Sequence, residues 1–195
     1  MTDRPAIFAA PMIRALRADR KTQTRRLATS PLRKCAVGDR LFVREGWRVG
    51  YGYDWHREDL GRAPKPSEYD PATTPIEYLA DDTHELGGRS WPSIHMPRWA
   101  SRLTLIVEGV KVEPLQAISR ADAIAEGLSL ASNAIEEFWR WPEPFHENLW
   151  LSPPAAYRHL WSQLHTDEGQ RWEDNPDVVA LTFRVVASNI DQVAA

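Results

Sequence analysis

Arg20-Lys21-Thr22-Gln23-Thr24-Arg25-Arg26 sets one lysine and two hydroxyls inside a cluster of arginines, and the run of its backbone decides both the local fold and the chemistry open to it. On a regular strand, positions three apart face opposite sides of a sheet, so Thr22 and Thr24 would share a face and Lys21 would point away from Thr24. A turn or a helix end would let Lys21 and Thr24 meet. Their pairing therefore requires irregular backbone here. Adjacent cations disfavour the ammonium form of a lysine and burial lowers its pKa further, which is what Lys21 needs to act as a base at neutral pH. Thr24 becomes a nucleophile when such a base takes its proton. The competing reading, from composition alone, is a solvated basic face or a patch that contacts phosphates.

Charge is distributed unevenly around this stretch. Residues 1–48 carry 12 Lys and Arg against 4 Asp and Glu, whereas residues 49–195 carry 12 against 23, for a net charge of -3. A basic first quarter on an acidic remainder attracts a polyanion locally while limiting indiscriminate nucleic-acid binding. The 195 residues, 43% of them hydrophobic, suffice for one domain with a core, and no Pro/Gly/Ser-rich linker divides them. No apolar run approaches a membrane span, the N-terminus lacks a signal-peptide core, and a lone Cys35 cannot form an internal disulfide. A cytoplasmic protein with no membrane partner is expected. The six histidines lack zinc-site spacing, and neither a phosphate-binding Gly-rich loop nor a Gly-x-Ser-x-Gly elbow is present. No metal and no cofactor are therefore expected.

Working outward, Pro11 to Ala18 reads as a short helix with Met12, Ala15 and Leu16 as its apolar stripe. Gly38-Asp39 is a turn signal ahead of a strand at Arg40 to Glu45. From Val49 to about residue 100 the pattern dissolves into an insertion, with a short strand at Ile76 to Leu79 and with Trp47, Tyr51, Tyr53 and Trp55 available to stack on bases. Arg98 and Arg102 precede a strand at Leu103 to Val112, where two arginines either hold a phosphate or pair with carboxylates. Ser119 caps a helix that Gly127 stops, with Ala121, Ile124 and Leu128 facing inward and Glu126 in the last turn, where the helix dipole disfavours a carboxylate. Residues 129–150 form a second insertion with a short helix around Ala134 to Trp139. Ser152-Pro153-Pro154 opens another helix, with Tyr157, Leu160, Trp161 and Leu164 at core spacing. A turn at Asn175-Pro176 leads into a closing strand at Val178 to Val186, and residues 187–195 read as a flexible tail. Together these elements predict one α+β domain over 1–186, built on a small, mostly antiparallel β-barrel with short helices and long inserted loops.

Several of these blocks carry a resemblance. Lys21-Thr22-Gln23-Thr24-Arg25-Arg26 after a short helix, Gly38-Asp39 before a strand, the Ser119 to Leu128 helix, and Asn175-Pro176 with its strand resemble the ASCH family of the PUA-like superfamily. The Trp91 to Arg102 segment is similar to the longer ASCH proteins of phages and prophages. The resemblance implies a β-barrel associated with RNA or modified nucleosides, and compact bacterial members that hydrolyse the N4-acetyl group of acetylcytidine with a lysine, a threonine and a glutamate. By motif these fall on Lys21, Thr24 and Glu126, with Arg26 on the arginine that closes the signature. The expected activity is amide hydrolysis on an N4-acylated cytidine or related nucleobase. In it Lys21 activates Thr24, Arg26 or a backbone N–H stabilises the oxyanion, and Glu126 protonates the leaving amine or positions water. Arg20, Arg25, Arg26, Arg98 and Arg102 are the candidate contacts to substrate or phosphate. The expected partner is a modified nucleoside or an RNA or DNA substrate; a non-catalytic nucleic-acid module and a metal-independent ribonuclease are the alternative functions.

Overall fold

The computed structural model describes residues 1–50, 64–81, 88–131, 138–141 and 149–193. In chain order the elements are β1 (Asp3–Ile7), α1 (Ala10–Arg17), β2 (Gln23–Leu27), β3 (Arg40–Arg44), β4 (Trp47–Val49), β5 (Ile76–Tyr78), β6 (Ser90–Trp91), β7 (Thr104–Pro114), α2 (Arg120–Ala125), β8 (Ser129–Leu130), β9 (Trp139–Arg140), α3 (Pro153–Leu164) and β10 (Asp177–Val186). The class is α+β with mostly antiparallel sheets, and no closed barrel occurs among the described strands. The chain forms two compact units, each discontinuous in sequence. One contains residues 1–2, 15–39 and 106–185, and the other residues 3–14, 40–105 and 186–195.

In the first unit β7, β10 and β2 lie side by side, with β10 and β2 antiparallel from Val178 opposite Leu27 to Thr182 opposite Gln23. Val178, Val179, Ala180 and Leu181 are all buried, so this part of β10 is covered on both faces rather than alternating. Helix α2 begins with a reciprocal capping box in which Ser119 Oγ accepts from the Asp122 amide and the Asp122 carboxylate accepts from the Ser119 amide. Its inward face differs from expectation: Ala121 is exposed and Ala123 is buried. A six-residue helix spans less than two turns, too short for apolar spacing to fix its phase, and Asp122 and Glu126 are drawn inward by cations. In α3, Tyr157, Leu160 and Trp161 are buried as expected but Leu164 is exposed. The helix expected near residue 134 falls largely outside the described residues, and Trp139 sits in a strand opposite Leu130. The first helix is present as α1, with Ile13, Ala15 and Leu16 buried and Met12 only half-buried.

In the second unit β1 runs parallel to β3, from Asp3 opposite Arg40 to Ile7 opposite Arg44. Strand β4 is flanked by β5 and β6, both antiparallel to it, and these strands enclose Trp47, Val49, Tyr69, Trp91, Met96 and Ala100. Trp47 stacks near Trp91 with ring centroids 6.3 Å apart and is fully buried, so the base-stacking role expected of it is replaced by a core role. Tyr51, Tyr53 and Trp55 lie outside the described residues. The stretch expected as an insertion thus supplies a core of its own.

The last residues depart from the expected flexible tail. Ile190 is fully buried, and Asn189 Nδ2 donates to the carbonyls of Arg98, Trp99 and Ser101 at 2.9, 3.1 and 2.7 Å. Arg98 binds Asp3 and Asp191, each at 2.6 Å, and Arg40 binds Asp3 at 2.8 Å. A single amide that satisfies three carbonyls has no local sequence signature, so the anchoring was invisible in the chain.

Asn189→Ala should lower the unfolding free energy by about 1–3 kcal/mol, because it leaves part-buried carbonyls without their donor; a urea midpoint equal to that of the unaltered protein would contradict it. A second expectation concerns acid. The Arg40 hydrogen bond, followed by that of Arg98, holds the Asp3 carboxyl below its ordinary 3.8 despite partial burial. With the native pKa below the unfolded one, this stabilisation is complete above pH 3.8 and is lost as pH falls through the lowered value. Asp3→Asn should therefore flatten the pH dependence of the urea midpoint in that acid window.

Candidate functional site

The site lies in the first unit, where the chain leaves β2 at its N-terminal end. Residues 20–22 are not regular strand: Lys21 forms a single antiparallel bridge with Glu126, and the Thr22 amide donates to the Ala125 carbonyl at 2.8 Å. Regular pairing with β10 begins only at Gln23. The backbone at Lys21 is thus irregular, as a Lys21–Thr24 pairing would need, and Thr24 is already on the strand. Gly127 makes this crossing feasible. Its φ is +110°, and a β-carbon added there would lie 3.2 Å from Lys21 Cβ and 3.1 Å from Ala15 Cβ. Read from sequence only as a helix stop, it also sets the distance between two segments.

Lys21 is 2% exposed, and its Nζ donates to Glu126 Oε2 at 2.7 Å and to the Glu126 backbone carbonyl at 2.9 Å. Glu126 is the C-cap of α2 and is 3% exposed. A carboxylate at that helix end meets the negative pole of the dipole, and the Lys21 ammonium offsets this. Burial lowers the pKa of Lys21, Glu126 acts in the opposite sense, and Arg26 and Arg25 lower it again; the net direction is down.

The arginines divide by strand alternation. Gln23 and Arg25 share one face of β2, and Thr24 and Arg26 share the other. Arg25 is buried and holds three carboxylates: Glu113 at 3.0 Å, Asp122 at 3.2 Å and Glu126 at 3.6 Å. It also donates to the Gln23 side-chain oxygen, while Gln23 Nε2 donates to Asp122 at 3.1 Å and Thr182 at 3.3 Å. Arg26 Nη1 donates to the Thr24 hydroxyl at 2.9 Å. Thr24 is fully buried, whereas Arg26 is partly exposed and joins the enclosed groups to the surface. Arg20 Nη1 donates to Ser129 Oγ at 2.5 Å.

Tyr157 completes the surroundings. Its ring lies 6.0 Å below the Arg25 guanidinium, and burial, aided by the Glu126 charge, pushes its hydroxyl well above the ordinary 10.0, so it keeps its proton. Helical spacing had assigned Tyr157 to the core, which is correct for its burial and silent on its charged neighbours. Glu113 carried no signal, since it follows a strand expected to end at Val112. Asp122 was legible only as the third helical residue after Ser119. Glu126 Oε1 and Arg25 Nε have no hydrogen-bond partner among the described residues.

The structure thus gathers Lys21, Thr24, Glu126, Arg25 and Arg26 in one unit. Arg98 and Arg102 belong to the other. Arg98 is engaged by Asp3 and Asp191, and Arg102 binds Glu45 through two bonds of 2.9 Å and Asp81 at 2.6 and 2.9 Å. The carboxylate alternative, not the phosphate one, describes both. Compared with known proteins, the chain matches no family model, no curated protein and no solved structure. No helix among the described residues is long and apolar enough to cross a membrane.

The arrangement supplies a lysine amine held by a carboxylate, a hydroxyl held by a guanidinium, and a protonated phenol, all shielded from water. Removing one member of a buried ion pair strands the other's charge. Lys21→Met should therefore cost about 3–5 kcal/mol of stability, and Lys21→Met/Glu126→Gln should cost clearly less than the two single changes added together. Strictly additive losses in a denaturant cycle would show that the two side chains do not act as a pair.

Proposed function

We propose that the chain is an ASCH-type amidohydrolase that removes an acyl group from the N4 amine of cytidine or a related modified nucleobase, in a cytoplasmic setting. The proposal assigns β7, β10 and β2 to the small barrel of the PUA-like fold. Its main support is the 2.7 Å ion pair between Lys21 and Glu126, 105 residues apart, in the same unit as the buried Thr24 hydroxyl and its Arg26 donor.

In this mechanism Lys21, an ammonium while it is paired with Glu126, acts in its minor neutral form: the amine takes the Thr24 Oγ proton, and the oxygen attacks the acyl carbon. Burial and the flanking guanidinium groups favour the neutral amine, as the lowered pKa of Lys21 reflects. Arg26, already donating to Thr24, stabilises the oxyanion that forms beside it. Lys21 then returns its proton to the departing amine, leaving an acyl ester on Thr24. Water hydrolyses the ester, with the Lys21–Glu126 pair accepting and returning the proton. Glu126 holds and orients the amine throughout. A module that binds RNA or DNA phosphates through Arg20, Arg25 and Arg26 is less well supported, because Arg25 is enclosed by three carboxylates.

Purified protein should release cytidine from N4-acetylcytidine, followed chromatographically. Thr24→Ala should reduce turnover by roughly 10^4-fold or more while leaving the circular dichroism spectrum intact, and Thr24→Ser should recover part of it. The rate should rise with pH on a limb whose midpoint lies below the ordinary lysine value of 10.5, and Lys21→Arg should abolish that limb. Full turnover in Thr24→Ala would remove this mechanism.

A further inference from the structure

The second unit holds an open groove of about 480 Å³, within the range of roughly 300–1,000 Å³ that small-molecule sites occupy. Two short 3-10 turns frame it, Pro66–Glu68 after Lys65 and Ser93–His95 after Pro92. Its polar lining residues are Arg44, Lys65, Ser67 and His95, and no acidic residue lines it among the described residues. In a chain of net charge -3 with 27 acidic side chains, a groove lined by Arg44 and Lys65 and by no acidic residue among the described residues favours an anion. Its apolar floor is the core side chains Trp91 and Met96, both buried, and its open apolar surface is Ile94, 60% exposed, with the half-buried Pro66 and Pro97.

Arg44 is preorganised. It projects from β3, donates through Nη1 to the Ile94 carbonyl at 3.2 Å, and lies 5.4 Å over the Phe42 ring. Lys65 is exposed on the groove wall, where its flexible stem can follow a ligand. Such a division suits a phosphate ester: a fixed guanidinium for two oxygens, a mobile ammonium for the remaining charge, and a hydroxyl donor. Ile94, the two prolines and the exposed His95 ring, in edge contact with Trp91 at 5.9 Å, give a flat ring attached to that phosphate a surface to lie on. Arg98 and Arg102 in the same unit are engaged by carboxylates.

We propose that this groove binds the phosphate ester of a nucleotide, with Arg44 and Lys65 on the phosphate and the apolar walls on the base. The site is independent of the amidohydrolase reading and uses none of its residues.

The test is calorimetric titration of the full chain at low salt with adenosine 5'-monophosphate, adenosine and a 5'-phosphorylated tetrathymidylate, repeated with Lys65→Gln and Arg44→Gln. The monophosphate should bind at least about tenfold more tightly than adenosine, and either substitution should weaken it by roughly tenfold, the scale of one lost charge-assisted hydrogen bond. Because Lys65 is exposed, its variant reads binding without disturbing the core. Binding of the oligonucleotide alone, with the same dependence on Lys65 and Arg44, assigns the phosphate to a strand rather than a free nucleotide and upholds the site. Equal affinity for adenosine and its monophosphate, affinities unchanged in both variants, or no binding by either phosphate probe overturns it. Turnover of N4-acetylcytidine by Lys65→Gln should equal that of the unaltered protein, which separates failure here from failure of the catalytic reading.

Discussion

The first unit depends on a lysine and a glutamate that have both left water. Burying an isolated ammonium or carboxylate costs several kcal/mol, and their mutual attraction offsets this only when geometry and additional hydrogen bonds are good. Here the 2.7 Å contact is reinforced by the second bond from Lys21 Nζ to the Glu126 backbone and by the bridge between the two residues. The pair therefore constrains everything that delivers it: the start of β2, the C-terminal end of α2, and Gly127, which lets the two segments approach. It also explains why a carboxylate is tolerated at a helix end that would otherwise repel it.

Around this pair Arg25 acts as an internal counter-ion. Three carboxylates from the end of β7 and from α2 converge on one guanidinium that protrudes from β2, so sheet and helix are joined by charge as well as by apolar contact. Such a network tolerates few alternatives, because any slip of β2 by one residue would place Thr24 or Arg26 where Arg25 stands. The same alternation leaves Thr24 and Arg26 together on the opposite face, where the guanidinium donates to the hydroxyl.

The second unit uses arginine differently. Arg98 and Arg102 hold chain segments together through carboxylates, Arg102 also lies 3.9 Å from the Tyr78 ring centroid, and Arg44 lines a groove. The excess of positive charge in residues 1–48 suggested a single basic patch. Lys21, Arg25 and Arg40 are instead paired internally, with Glu126, Glu113, Asp122 and Asp3, none of which neighbours its partner in the chain.

Local chemistry was legible from the residues alone: the Ser119 cap, the apolar runs of β7 and β10, the helix opened by Pro153 and Pro154, and the break from regular strand at Lys21. Each depends on neighbours within a few positions, where backbone preference and periodicity act. β1 was not legible, because Asp3-Arg4-Pro5-Ala6-Ile7 carries no apolar alternation and is a strand through its parallel partner β3. The phase of α2, the anchoring of Ile190 and the assignment of each arginine also required the folded chain. Sequence by itself determined which residues were chemically capable; the tertiary structure decided which charges met, because ion pairs that span 88 to 105 residues are selected by burial and geometry rather than by spacing.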